Sequence, residues 1–165
     1  MGRAFAKRLK SFDCQVLGYD KYFPDQNSTD FISVPIEELY ARADILSLHV
    51  PLTSETRGFY NYSFFQQFEK PILLLNSARG EVLPLSDLVR SMKEGKITGA
   101  GLDVFEKEPF YQLSDIEKDT YEFLLESPSV LMTPHVAGWS HQSYQRINAV
   151  LVQKIRLLKQ SGAID

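Results

Sequence analysis

Leu131-Met132-Thr133-Pro134-His135-Val136-Ala137-Gly138-Trp139 is a short apolar run stopped by proline, with a histidine at its tip and small residues beyond. An aliphatic run halted by Thr-Pro reads as a buried strand that ends at its carboxyl edge. His135 then sits on that edge. In open α/β sheets ligands bind outside the carboxyl ends of the strands, so a histidine there is placed for chemistry. The alternative is a structural histidine satisfied at a strand end.

Outward from this stretch, the chain alternates helical and strand patterns. Phe5, Leu9 and Phe12 recur at four and three residues and predict an amphipathic helix that begins at Gly2. Gln15 to Tyr19 reads as a strand closed by Asp20. A helix opening on glycine, then a strand ending in an acid, is the second half of a dinucleotide-binding βαβ unit. The 18 residues from Gly2 to Asp20 are close to the roughly 20 expected between the glycine turn and the ribose-binding acid. Residues 21 to 34 read as a polar connection. Pro35 starts a short helix, Ile45 to His49 is a strand closed by Val50-Pro51, and Asn61 to Phe68 is a short helix. Ile72 to Asn76 is almost purely aliphatic, as a strand covered on both faces should be. Leu85, Leu88, Val89 and Met92 mark a helix between Pro84 and Gly95. Gly99 to Val104 is a further strand, and residues 105 to 128 read as an irregular acidic connection. Ser140 caps a final helix with Tyr144, Ile147, Leu151, Ile155 and Leu158 on one face. Helices alternating with strands predict an α/β chain with a mostly parallel, Rossmann-type doubly wound sheet.

The bulk numbers agree with one domain over residues 1–165. A chain of 165 residues, 44% hydrophobic and 12% aromatic, has material for a core. A net charge of −3 with mixed signs offers no basic stripe, which argues against a nucleic-acid partner. The sequence has no apolar run long enough to span a bilayer and no signal-peptide layout, so no membrane partner and a cytoplasmic location are expected. The single cysteine, Cys14, offers no metal-ligand spacing, and its place before an apolar run predicts a buried, inert thiol.

Three charged or titratable residues follow strand ends: Arg79, Glu108 and His135, spaced 29 and 27 residues apart. In a parallel sheet all three fall on one edge. A histidine there serves as acid and base toward a carbonyl oxygen, a carboxylate beside it favours the protonated imidazole, and a guanidinium grips an anionic substrate. The plainer alternative makes Arg79 and Glu108 ordinary surface charges.

Asn76-Ser77-Ala78-Arg79-Gly80, Gly101-Leu102-Asp103-Val104-Phe105-Glu106-Lys107-Glu108-Pro109 and Thr133-Pro134-His135-Val136-Ala137-Gly138 resemble, in order, the three signature blocks of the NAD-dependent D-2-hydroxyacid dehydrogenases, the family that includes D-3-phosphoglycerate dehydrogenase. The resemblance implies an oxidoreductase that moves a hydride between NAD and a small-molecule 2-hydroxy or 2-keto acid, 3-phosphoglycerate being one candidate. It implies catalytic roles for Arg79 on the substrate carboxylate and carbonyl, for Glu108 paired with the histidine, and for His135 as general acid and base. The cofactor-binding residues it implies are Gly2, Asp20 at the adenosine ribose, the His49-Val50-Pro51 loop, Ser77, Ala78, Asp103 at the nicotinamide carboxamide, and Gly138. No metal is implied. An acid at Asp20 with no arginine directly after it favours NAD over NADP, while Lys21 leaves NADP open. Trp139 and Tyr144 read as core residues, with the wall of a substrate pocket as the alternative.

The same resemblance aligns Gly2 with the third glycine of the family's Gly-x-Gly-x-x-Gly turn. The expectation is therefore a C-terminal piece of a dehydrogenase, begun at an internal methionine, without the first strand, the first two glycines and the substrate domain. In the order 3-2-1-4-5-6 the first strand is central, so two inner sheet edges, low activity in isolation and a tendency to strand pairing are expected. The complete enzyme is expected to be a homodimer. A non-catalytic NAD-sensing or protein-interaction domain of the same fold is the alternative function.

Overall fold

In the computed structural model of the chain, residues 1–24, 28–107 and 113–164 are described. They form two compact units, Met1–Pro134 and His135–Asp165. In the first, the order is α1 (Gly2–Leu9), β1 (Leu17–Gly18), β2 (Ile32–Ser33), α2 (Ile36–Arg42), β3 (Ile45–Leu48), α3 (Tyr62–Phe65), β4 (Ile72–Asn76), α4 (Leu85–Lys93), β5 (Ile97–Leu102), α5 (Asp115–Glu126) and β6 (Val130–Met132). The second holds α6 (His141–Gln160).

All strand pairs are parallel, as the alternating pattern predicts, but they form two sheets among the described residues: β1-β2, and β3-β4-β5-β6. The break falls between β1 and β3, where the doubly wound order places one more strand. With a partner on one side only, β1 is two residues long, Leu17 facing Ile32 and Gly18 facing Ser33. Contacts between side chains span the break. The Phe5 and His49 rings lie 5.4 Å apart, Arg42 donates to Gln15, and Lys21 and Tyr22 both reach Glu55.

One face of the four-stranded sheet holds the core. Leu46, Leu48, Ile72, Leu74, Ile97 and Leu102 are buried with Phe65, Leu85, Leu88 and Leu124 from the helices that follow β3, β4 and β5. Burial of such aliphatic and aromatic surface is the main stabilising contribution. The alternate residues of the same strands, Ile45, Leu73 and Leu131, are 57%, 43% and 70% exposed. The sheet is therefore covered well on one side, whereas the aliphatic run of β4 predicts cover on both.

Three local expectations are corrected. Residues 115–126 of the supposed acidic connection form α5, started by a capping box in which Ser114 Oγ accepts the Glu117 N–H and the Glu117 carboxylate accepts the Ser114 N–H. Hydrogen bonds from Lys107, then Ser114, hold the Glu117 carboxyl down at about 2. Only Tyr121 and Leu124 of this helix are buried, too few for an apolar stripe to show in the sequence. Cys14 is exposed, because it follows Asp13, which turns the chain in the left-handed region (φ 50°), and precedes an edge strand. Trp139 and Tyr144, read as core, are 69% and 54% exposed.

In the second unit, Ser140 caps α6 as predicted, its side chain accepting the Ser143 N–H. Ile147, Leu151, Ile155 and Leu158, the predicted stripe, are all exposed. Among the described residues no helix is long and apolar enough to cross a membrane.

Candidate functional site

The carboxyl ends of β3, β4, β5 and β6 open onto a cleft of ≈ 210 Å³ lined by Ser47, His49, Asn76, Ser77, Asp103 and Thr133, with Phe5, Leu75, Gly101, Leu102 and Leu131 supplying apolar wall. Parallel strand direction brings these residues together from five segments, and Arg79, which the strand-end reading singles out, is not among them. Three residues implied as cofactor-binding, His49, Ser77 and Asp103, line it directly.

His49 and Asp103 are held by specific contacts. His49 Nε2 and Ser47 Oγ are 3.0 Å apart, and burial pushes the His49 imidazole down from its ordinary value, so the ring is neutral near pH 7 and offers the cleft a flat face more than a charge. A Cβ placed on Gly2 would come within 3.3 Å of His49. The start of α1 thus lies against the end of β3, and its first turn carries no acid, which suits the positive end of the helix to an anion. Val50 packs against the core, and Pro51 O accepts a hydrogen bond from Thr56 Oγ1 at 2.7 Å, so this loop is closed on itself.

Asp103 is 7% exposed. Its Oδ1 accepts the Thr133 hydroxyl at 2.6 Å, and its N–H donates to Asn76 O at 2.9 Å. Asn76, 1% exposed, uses its side chain on the following turn: Oδ1 accepts the Ala78 N–H at 3.0 Å and Nδ2 donates to Arg79 O at 3.1 Å. Ala78 therefore stands behind the site, buried, with its N–H engaged. Arg79 is exposed and extended at the end of this turn, its Nη1 donating to Ala78 O at 2.6 Å. The next residue, Gly80, meets the loop after β5: a Cβ there would lie 1.8 Å from Phe105 O. Glu106 continues that contact by accepting the Leu85 N–H at 2.7 Å, at the first turn of α4. Glu106 is exposed as a whole residue, yet desolvation, foremost, raises the pKa of its carboxyl.

Asp20 lies two residues beyond β1 and is exposed, its Oδ1 accepting the Tyr22 N–H at 3.0 Å. His135 lies in the second unit with φ 55°, a left-handed conformation unusual for a side-chain-bearing residue. Gly138, also there, has nothing within 4 Å of where a Cβ would stand, and its carbonyl accepts the Ser143 hydroxyl at 2.6 Å. Glu108 lies outside the described residues. Sequence reasoning missed Asn76, Glu106 and Thr133. Asn76 was open to detection, since asparagine at a strand end favours closing a turn on its own downstream N–H. The other two act across 21 and 30 residues and carry no local signal.

A dinucleotide fits this edge on observations independent of any motif: an acid-free helix start beside a neutral ring, an exposed carboxylate past β1, and a buried carboxylate, oriented by a hydroxyl, in a cleft of mixed polar and apolar lining. Residues 1–137 match the family model described as D-isomer specific 2-hydroxyacid dehydrogenase, NAD binding domain. The chain belongs to this family. Similar proteins include a D-lactate dehydrogenase of Streptococcus agalactiae, 34% identical over 89% of this chain and 46% of that protein. A glyoxylate reductase of Pyrococcus horikoshii is 35% identical over 99% of this chain and 47% of that protein. The NAD-complexed D-isomer specific 2-hydroxyacid dehydrogenase of Lactobacillus delbrueckii ssp. bulgaricus superposes with a TM-score of 0.82 at 27% identity, covering 98% of this chain and 50% of that one. The chain thus spans about half the length of the curated relatives it matches. The NAD-binding domain accounts for the parallel strands, the helix start at Gly2 and the cofactor, NAD.

Proposed function

We propose that the protein containing this NAD-binding domain is an oxidoreductase that interconverts a 2-hydroxy acid and its 2-keto acid. The single observation that carries this is buried Asp103, oriented by Thr133 in a cleft one turn away from Arg79. NAD, when bound, supplies or takes up the hydride. With NAD bound, Asp103 would accept from the carboxamide and so orient the nicotinamide ring. Asp20 accepts from the adenosine ribose hydroxyls, and the first turn of α1 faces the pyrophosphate. Ser77 and the His49 ring form the walls.

Arg79 binds the substrate carboxylate. Its guanidinium rests on Ala78 O and would exchange this single local hydrogen bond for a two-pronged ion pair with an anion. His135 would give a proton from its imidazolium form to the carbonyl oxygen of the 2-keto acid during reduction, and its neutral form would take one from the hydroxyl in the reverse direction. Glu108 is assigned to stabilise that imidazolium, a role carried by its motif position.

The test is NADH oxidation by the purified protein with pyruvate, glyoxylate and phosphohydroxypyruvate, the keto partner of 3-phosphoglycerate. Turnover that His135→Ala abolishes and Arg79→Ala weakens chiefly through KM is the expected result. Binding of NADH without turnover of any 2-keto acid would overturn the enzymatic reading and leave an NAD-sensing domain.

A further inference from the structure

Asp20 is followed by a lysine, the feature that leaves NADP open at the sequence level. The structure shows what that lysine does. Lys21 Nζ lies 2.8 Å from Glu55 Oε2, and Tyr22 Oη donates to the same oxygen at 2.6 Å. Both side chains after Asp20 therefore end on one carboxylate, brought from the loop after β3. The hydrogen bond that Lys21 donates and Glu55 accepts is the foremost cause that lowers the Glu55 pKa and raises the Lys21 pKa, so both are charged at neutral pH. Arg57, in the same loop as Glu55, is paired with Glu81 at 2.8 Å.

We propose that Glu55 makes this site selective for NAD over NADP by holding Lys21 and adding a second negative charge beside Asp20. The inference rests on the assignment of Asp20 to the adenosine ribose. A 2′-phosphate carried to Asp20 meets two carboxylates and a lysine that is already neutralised. With Glu55 uncharged, Lys21 turns to the phosphate, and the balance of charge at the ribose moves from net negative toward neutral. The adenosine ribose of NAD carries no 2′-phosphate, so its binding senses little of this change.

The test is equilibrium titration of the full chain with NADH and with NADPH, read by nicotinamide fluorescence. In Glu55→Gln the affinity for NADPH relative to NADH is expected to rise about 5-fold, the scale of exposed charge interactions. The double variant Lys21→Ala/Glu55→Gln is expected to lose most of that gain. In the wild-type protein, added salt should narrow the discrimination, because charges this exposed are screened. An unchanged ratio in Glu55→Gln, or an equal rise in the single and double variants, overturns the proposal while leaving the NAD assignment standing. Failure of the wild-type chain to bind NADH overturns the Asp20 assignment and this inference with it.

Discussion

Gly80 sits so close to the Phe105 carbonyl that a side-chain carbon on it would lie 1.8 Å from the oxygen. The contact seats the turn that carries Arg79 against the loop that leaves Asp103, so the parts of the edge proposed for the anion and for nicotinamide share one backbone surface. Gly80→Ala must push one of them away. A loss of about 3 kcal/mol of stability is expected from such overpacking, seen as a lower urea midpoint. A variant with wild-type stability would show that the two loops separate freely.

Asn76 joins the same two parts through its own side chain and carbonyl. Asn76→Ala leaves the Ala78 N–H and Arg79 carbonyl unpaired, at about 1 to 3 kcal/mol. In the stable fraction, KM for the 2-keto acid should rise while NADH affinity stays within about 2-fold, well inside one exposed interaction. Equal losses in both would mean that Asn76 supports the fold and not the Arg79 turn.

Thr133 orients Asp103 through a single hydroxyl. Thr133→Val keeps the shape and deletes the donor, so NADH should bind about 10-fold more weakly, the scale of one hydrogen bond to a charged group. Thr133→Ser should restore binding. Titration of both variants decides it, and an unaffected Thr133→Val would remove the hydroxyl from the account.

Glu106 carries a pH signature. Burial of its carboxyl raises its folded pKa above the value of about 4.5 that holds in the unfolded chain. A proton is therefore retained in the folded state between those two values, and this group's contribution to stability falls as pH rises through that window. Glu106→Gln keeps an acceptor for the Leu85 N–H and removes the titration. The stability difference between variant and wild type should shift in the variant's favour as pH rises above 4.5, read from urea midpoints. A difference independent of pH would show that the carboxyl is not shielded in solution.

Much of this was legible before any coordinates. The β4 strand, Ile72–Asn76, coincides with its aliphatic run because a strand bordered by proline and asparagine leaves little choice of ends. The Ser140 cap of α6 was equally plain. Helix α5 escaped because its charged face hides two buried residues, although Ser114 and Glu117 spell a capping box. The Thr133–Asp103 and Glu106–Leu85 contacts, and the reach of Lys21 to Glu55, were invisible for a different reason. Each joins segments that only the parallel sheet brings side by side, and no spacing along the chain encodes which side chains will then meet. Division of the sheet followed from strand order, whereas the exposure of Cys14 depended on a single left-handed residue.

Each rung of the four-stranded sheet ties positions far apart in the chain: Ile45 to Leu73, Leu75 to Gly101, Gly101 to Leu131. Every one of those rungs must wait for a whole crossover to close, and loop closure is an entropic toll levied before any ladder bond rewards it. The rate of refolding is accordingly governed by topology, so that lengthening a crossover loop slows it while improving helix propensity on the solvent side of α4 or α5 leaves it nearly untouched.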